Sequence, residues 1–538
     1  MRILSLLFLA AFFAWGCAQK KKPAFKIADL DTTITVKNSF SELFLDSAAL
    51  SRFTHSRSMH DSLAVRMRSF YNSRNYQFAW FFPTGMADYV RTFLNMQNQY
   101  LYYSGDSSIY LPGLEARIDS LAAKTDINPG DSLIRDTELL LTYQFFRYAY
   151  YAYSGDRRVS LHDLGWFIPR KKLDLVPFLD SLVANKGRRI EEYEPVNPQY
   201  NRLKNFLMRF YELDSEVQWI DLAPGKKVYK EGDSDEIIKE TRKRLTLLGY
   251  GAEGEADSLA TVTPALTAAV KDFQAHYGLT ADGQLNAAFF RELSVPPRQR
   301  IRQILINMER VRWMPESPDT DYLLVNIPEF RLHVYEKGRP AFEMNVVVGS
   351  AAHNTVVFSD VVSQIVFSPY WNVPASILKN EIRPALERNP NYLVRNNMEW
   401  QGSSVRQKPG PRNSLGLVKF LFPNSYNIYL HDTPSKKLFD EAKRAFSHGC
   451  IRVSEPQKLA EFLLRKDSTW TTGKIVAAMH AGKEQAVRLK PHEQVPVVIG
   501  YFTAWVGSDG KLNFRNDVYG HDRKMAERYF APPKTTAQ

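Results

Sequence analysis

Four consecutive residues, Ser447-His448-Gly449-Cys450, run into Ile451-Arg452-Val453 and concentrate more reactive groups than any other stretch of this sequence. Upstream, with fifteen residues between it and Ser447, stands His431, within Ile428-Tyr429-Leu430-His431-Asp432-Thr433-Pro434. A free thiol with a pKa of about 8.5 is only a few per cent thiolate at neutral pH. A histidine within hydrogen-bonding reach takes the proton, and the resulting thiolate–imidazolium pair makes Cys450 a nucleophile with His431 as its general base and acid. Gly449 lets the backbone approach a substrate carbonyl, so the N–H groups around Gly449 and Cys450 are the expected oxyanion donors; such a donor is worth roughly 3 kcal/mol elsewhere. Tyr429 and His431 lie two apart on an expected strand and share a face, while Leu430 points to the core. Cys450 and Arg452 are related in the same way around Ile451. Arg452 is therefore placed to hold a carboxylate near the thiol or to brace the loop. His448 is expected to point away from the thiol and to bind substrate or fix the loop.

The compartment follows from the N-terminus and the cysteines. Arg2 precedes an apolar run from Ile3 to Trp15, too short for a bilayer span and proportioned like a secretory signal. Ala14-Trp15-Gly16-Cys17 resembles a lipobox, which would leave Cys17 as a lipidated first residue. Lys20-Lys21-Lys22 would then lie against anionic headgroups. Cys17 and Cys450 are the only cysteines, so a disulfide framework is excluded once Cys17 carries lipid, and the lone thiol needs a task. A formal charge of +12 favours an anionic surface such as phospholipid or wall polymer. Nucleic acid is not expected, because Lys and Arg are spread along the chain without a nucleic-acid motif. No metal is expected either: there is no His-Glu-x-x-His, and one thiol cannot build a zinc cage.

The elements that must position these groups change along the chain. With 538 residues, 44% of them hydrophobic, several cores are affordable. After a leader at 1–17 and a polar tether at 18–45, residues 46–225 read as a helical scaffold. Glu138–Tyr153 has nearly the apolar length of a membrane helix, but Arg147, Gln144 and Thr142 make it a buried or groove-lining one. Residues 226–296 form a small unit of three helices: Ile237, Ile238, Thr241, Leu245 and Leu248 share one face before Gly249, and Leu266, Val270, Phe273 and Tyr277 share another before Gly278. A linker helix occupies 297–321. From Tyr322 the period becomes two, with strands expected at 322–327, 330–335, 344–348, 365–367, 427–431, 451–453 and 475–479. Ala375–Leu417 interrupts that series as a charged, Pro/Gly-rich insertion, a natural lid. Residues 491–538 are a C-terminal extension packing on the domain at 322–490.

These residues resemble the L,D-transpeptidase catalytic domain, whose signature is a histidine followed at this spacing by Ser/Thr-His-Gly-Cys. Agreement continues through Asn326-Ile-Pro, Phe330-Arg-Leu-His-Val-Tyr-Glu, Val347-Val-Gly349, Pro369-Tyr-Trp-Asn-Val-Pro374 and Gly410-Pro-Arg-Asn-Ser-Leu-Gly416. It departs at Val356, where proline is expected. The stretch Gly232…Gly249-Tyr250…Phe273-Gln274…Asp282-Gly283…Leu293 resembles a three-helix peptidoglycan-binding domain, and the chain as a whole resembles the large YcbB-like branch of the family. The resemblance implies a multidomain α+β fold: a mostly helical scaffold, a peptidoglycan-binding domain, and a β-rich catalytic domain with a capping insertion. It implies attack by Cys450 on a tetrapeptide stem, release of D-Ala, a thioester, and its capture by a diaminopimelate-type amine to give a 3-3 cross-link, with no cofactor. It assigns the backbone carbonyl of Asp432 to orienting His431, and Tyr429, Ser447, His448, Arg452 and Trp371 to the substrate. A lipid-anchored periplasmic location, with a D,D-carboxypeptidase and a glycan synthase as partners, goes with it. Two other readings keep the same residues or the same location: a cysteine carboxypeptidase in which water finishes the reaction, and a non-catalytic wall-binding tether.

Overall fold

The computed structural model describes residues 26–57, 59, 61–155, 160–170, 173–314 and 319–530. Cys17, the apolar leader and the lysine run lie outside the described residues. The chain divides into two compact units, one made of residues to Leu101, Ser107–Tyr150 and Asp174–Tyr193, the other of Tyr102–Asp106, Tyr151–Leu173 and everything from Glu194.

The first unit is helical, as its apolar periodicity requires. Its central helix, Ser132–Tyr153, buries Leu139, Leu141, Phe145, Phe146 and Ala149. Trp80 packs against Phe93 and Phe145, with ring centroids 5.7 and 6.2 Å away. Among the described residues no helix is long and apolar enough to cross a membrane. Buried in this core, Glu138 accepts the Ala79 N–H at 2.6 Å, the Trp80 N–H at 2.9 Å and the Tyr71 hydroxyl at 2.9 Å. Burial outweighs those bonds and pushes its carboxyl up to about 7.

In the second unit the three expected small-domain helices run Ile237–Leu248, Pro264–His276 and Ala287–Leu293. Thr263 and Asn286 cap the latter two by accepting N–H groups of their first turns, as a side-chain oxygen at that position does. A long helix, Pro297–Trp313, follows. Its Asn307 side chain exchanges hydrogen bonds with Thr503, and its Arg310 pairs with Asp522 at 2.6 Å.

The β-rich part of this unit is an eleven-stranded sheet. In chain order its strands are β1 Tyr322–Asn326, β2 Arg331–Glu336, β3 Arg339–Gly349, β4 Phe358–Val362, β5 Gln364–Phe367, β6 Val418–Leu421, β7 Leu430–His431, β8 Ala445–Ser447, β9 Ile451–Val453, β10 Gln485–Arg488 and β11 Val495–Gly500. They lie side by side as β10-β5-β6-β7-β9-β3-β2-β1-β11-β4, with β8 on β3. Two features differ from the sequence reading. Residues 475–479, expected as a strand, lie in a helix, Thr472–His480, whose N-terminus Thr471 caps. A short apolar run does not by itself separate strand from helix, and here the cap decides. Val495–Gly500, expected outside the domain, is a strand within its sheet, parallel to β1 and antiparallel to β4.

The insertion between β5 and β6 has a core of its own, built from Val373, Leu378, Ile382, Leu393 and Val405. Its three-stranded sheet takes in Trp371–Asn372, so the excursion leaves the main sheet before Ala375. A π-helical turn, Leu378–Ile382, carries Glu381.

Glu138 supplies a pH test of the first unit. Its folded pKa lies above its unfolded value of 4.5, so the folded state binds more protons between pH 4.5 and about 7, and stability falls as pH rises through that window. Thermal unfolding is expected to show a lower midpoint at pH 8 than at pH 5, and Glu138→Gln to reduce that slope.

Candidate active site

A short parallel pairing builds the site. β7 and β9 align Leu430 with Ile451 and His431 with Arg452, and the Ile451 N–H donates to the Tyr429 carbonyl at 3.1 Å. Phe420, Leu430 and Ile451 are wholly buried on one face of the sheet. The opposite face therefore receives Tyr429, His431, Cys450 and Arg452, which places His431 and Cys450 as diagonal neighbours on adjacent strands. On the other side of β7, Lys419 of β6 is the register partner of His431. The Asp432 N–H donates to the Val418 carbonyl, so Lys419 and His431 form the adjacent, non-hydrogen-bonded pair, the closer of the two pair types. A row Lys419–His431–Arg452 thus crosses three strands.

His431 is buried, and its Nδ1 lies 2.5 Å from the Asp432 carbonyl oxygen. A carbonyl only accepts, so Nδ1 carries the proton and Nε2 presents a lone pair. The Asp432 carboxylate is fixed in turn by the Leu417 N–H at 2.8 Å and by Lys436 at 2.5 Å. A Cβ on Gly416 would stand 2.3 Å from that carboxylate, which is why the position takes a glycine at φ +62°.

Burial, then the positive charge of Arg452, with a smaller push from Lys419, holds the His431 imidazole down at about 3 against the pull of the Asp432 carbonyl. Burial raises the Cys450 thiol above its ordinary range, opposed by the Tyr429 N–H, the Tyr429 hydroxyl and Arg452. The thiol faces the Asn427 carbonyl oxygen at 3.4 Å, a partner for S–H and a poor one for a thiolate. Both shifts run toward the neutral forms, a thiol and an imidazole, and away from the ion pair the sequence suggests. Desolvation is the leading cause at both groups, and the neighbouring cations add to it only at the imidazole.

The loop before the thiol is braced by hydroxyls. Gly449 adopts φ +112°, and its N–H, expected to face an oxyanion, donates to Ser447 Oγ at 3.1 Å. Ser447 is buried and donates to the Cys450 carbonyl at 2.5 Å, so it holds the turn. Thr355 Oγ1 donates to the Gly449 carbonyl and accepts the Gly349 N–H, both at 2.8 Å. The Tyr519 hydroxyl donates to the Gly349 carbonyl at 2.6 Å. His448 is exposed, with Nε2 3.2 Å from Glu381 of the insertion and its ring 4.9 Å from that of His353. Trp371, expected near substrate, is half-buried against the insertion's own core. Sequence reasoning passed over Lys419, Thr355 and Tyr519. Only Lys419 left a signal, a lone cation in the apolar run Leu417–Phe422.

Among the described residues no group of three or more His, Cys, Asp or Glu is placed to hold a metal ion. The thiol and the imidazole share one sheet face, with the Tyr429 hydroxyl beside the sulfur, the groups a nucleophile and its base require.

Residues 320–487 match the model of the L,D-transpeptidase catalytic domain, residues 65–207 that of the Scaffold domain, and residues 234–293 one described as "Putative peptidoglycan binding domain". A Haemophilus influenzae protein named "Putative L,D-transpeptidase" is 31% identical over 245 residues, 42% of this chain and 49% of that protein. The chain thus spans about half the length of the curated relative it matches. Among solved structures, an L,D-transpeptidase from Mycobacterium smegmatis is 11% identical over 34% of this chain and 58% of its own, at a TM-score of 0.20. L,D-transpeptidase 3 from Mycobacterium tuberculosis is 16% identical over 34% and 61%, at 0.18.

Two outcomes are expected. Alkylation of Cys450 by iodoacetamide should rise steadily with pH from 6 to 9, without the inflection below pH 6 that a thiolate–imidazolium pair gives. Thr355→Val strips two buried backbone groups of their partner and should lower stability by about 1–3 kcal/mol in denaturant titration, and slow that alkylation as well.

Proposed function

We propose, from the match of residues 320–487 to the L,D-transpeptidase catalytic domain, that this protein cross-links peptidoglycan stems through a thioester on Cys450. The observation that carries the reading is the shared sheet face of His431 and Cys450, set by the β7–β9 register, with Nε2 of His431 left free to accept a proton.

The neutral pair sets the order of events. Cys450 Sγ attacks the carbonyl that joins the third, diaminopimelate-type residue of a tetrapeptide stem to its terminal D-Ala, and the thiol proton passes to His431 Nε2 in the same step. Stepwise ionisation would form two charges in a site that disfavours both. The Tyr429 hydroxyl and the Cys450 N–H stabilise the oxyanion, because the Gly449 N–H is engaged by Ser447. His431 then gives its proton to the departing D-Ala amine, leaving the acyl group on sulfur. The side-chain amine of a second stem attacks the thioester and loses its proton to His431, which returns it to the sulfur, and a 3-3 cross-link results. One acyl bond replaces another, so the sequence needs no external energy source. Arg452 holds a substrate carboxylate, and His448 contacts substrate beneath the insertion.

We place the protein in the cell envelope, periplasmic and anchored by lipid on Cys17, with residues 234–293 contacting peptidoglycan. A D,D-carboxypeptidase that trims pentapeptides would supply the tetrapeptide donor.

Incubating the protein with tetrapeptide muropeptides and weighing the products by mass spectrometry tests the reading. A dimer lighter than two stems by one D-Ala is expected, and none with Cys450→Ala. Tripeptide without dimer would replace the reading with hydrolysis, and unchanged muropeptides with a tether.

A further inference from the structure

Two cations flank His431, and neither has a full counter-charge. Lys419 has a side chain only 16% exposed. Its Nζ reaches the Tyr370 carbonyl at a long 3.4 Å, and the nearest carboxylate, Glu484, stands 3.9 Å away. That carboxylate is already held by the Tyr370 N–H at 2.7 Å. Arg452 is half-buried, its Nε is sealed from solvent without a hydrogen-bond partner, and among the described residues no carboxylate pairs with it. Burying a cation that is unpaired, as Arg452 is, or paired only at long range, as Lys419 is, is costly unless something supplies the missing charge. Here two are placed on one face, at either end of a three-residue row with the imidazole between them.

We propose that Lys419 and Arg452 form a clamp for a free carboxylate of the peptide substrate, with Lys419 as a specificity-determining residue. The inference rests on the peptide-acyl reading of the site and narrows its substrate to stems bearing a free carboxylate close to the bond that reacts. A carboxylate suits the pair, since the guanidinium fork takes two oxygens and the ammonium adds a point charge. An uncharged amide in the same place would leave Arg452 unpaired and Lys419 with only its long contact to Glu484.

The clamp has a second effect. Both cations weaken His431 as a base, so an anion seated between them offsets the penalty they impose and makes the imidazole a better proton acceptor when substrate is present.

Iodoacetate and iodoacetamide differ by one carboxylate and are similar in size. Their alkylation rates on the Cys450-containing peptide, read by mass spectrometry from the full chain, therefore report the clamp apart from cross-linking. The iodoacetate to iodoacetamide ratio is expected to exceed that of a small free thiol by about tenfold, the worth of one well-placed charge pair. Lys419→Met and Arg452→Met should each reduce the ratio, and Lys419→Arg should retain it. A folding or access defect slows both reagents alike and leaves the ratio in place. A wild-type ratio equal to that of the free thiol, or one unmoved by Lys419→Met, overturns the clamp while leaving the cysteine reading intact. A ratio that behaves as expected in a protein that forms no cross-linked dimer supports the clamp and removes only the transpeptidase reading.

Discussion

A parallel pairing of only two register pairs, between Leu430–His431 and Ile451–Val453, is what the reactive geometry hangs on. It converts a separation along the chain into adjacency on one face, and it does so in the middle of a sheet. β6 and β3 hydrogen-bond to the outer edges of the pair, and Leu430 and Ile451 are wholly buried behind it. A slip of one residue would turn His431 into the core and send Leu430 to the surface, a change the buried face forbids. Register here is enforced by apolar burial, and the chemistry inherits its precision from that.

Burial sets the electrostatics as well. Desolvation leads the shifts at both His431 and Cys450, and it acts against charge on each. Arg452 divides its effect, opposing charge on the imidazole and favouring it on the sulfur, while Lys419 acts on the imidazole. The balance runs toward the neutral forms, with burial the leading cause at both groups. In the proposed reaction, proton transfer is then tied to bond formation, and the thiol does not stand as a free thiolate. The insertion adds a contact from the other side, Glu381 against His448 next to the thiol. That contact is half-exposed at both ends, so it adds little stability and opens readily.

Hydroxyl groups fix what the strands do not. The turn at Gly449 sits at a backbone angle that side chains resist, and Ser447 and Thr355 satisfy its N–H and carbonyl. Thr355 in turn joins Gly449 to Gly349, and Tyr519 joins Gly349 to the segment that follows β11. The C-terminal part of the chain is therefore within the site's supporting frame. Its strand β11 closes one flank of the sheet between β1 and β4.

The sequence by itself determined the reactive groups and much of the local architecture. Ser447-His448-Gly449-Cys450 and His431 are legible because a thiol, an imidazole and a glycine turn concentrate chemistry in one place. The helices around Leu245, Val270 and Phe273 are legible because burial of one face imposes a period on the chain. Only the tertiary structure decided matters that depend on non-local neighbours. Lys419 becomes part of the site through its register with His431, a relation that no local pattern encodes. The Gly449 N–H is diverted to Ser447 by the closure of a turn. The short apolar run at 475–479 fits either period until the Thr471 cap and its packing choose helix. The protonation state of the pair was likewise out of reach of residue types, because desolvation is a property of what surrounds a group and the surroundings come from distant parts of the chain.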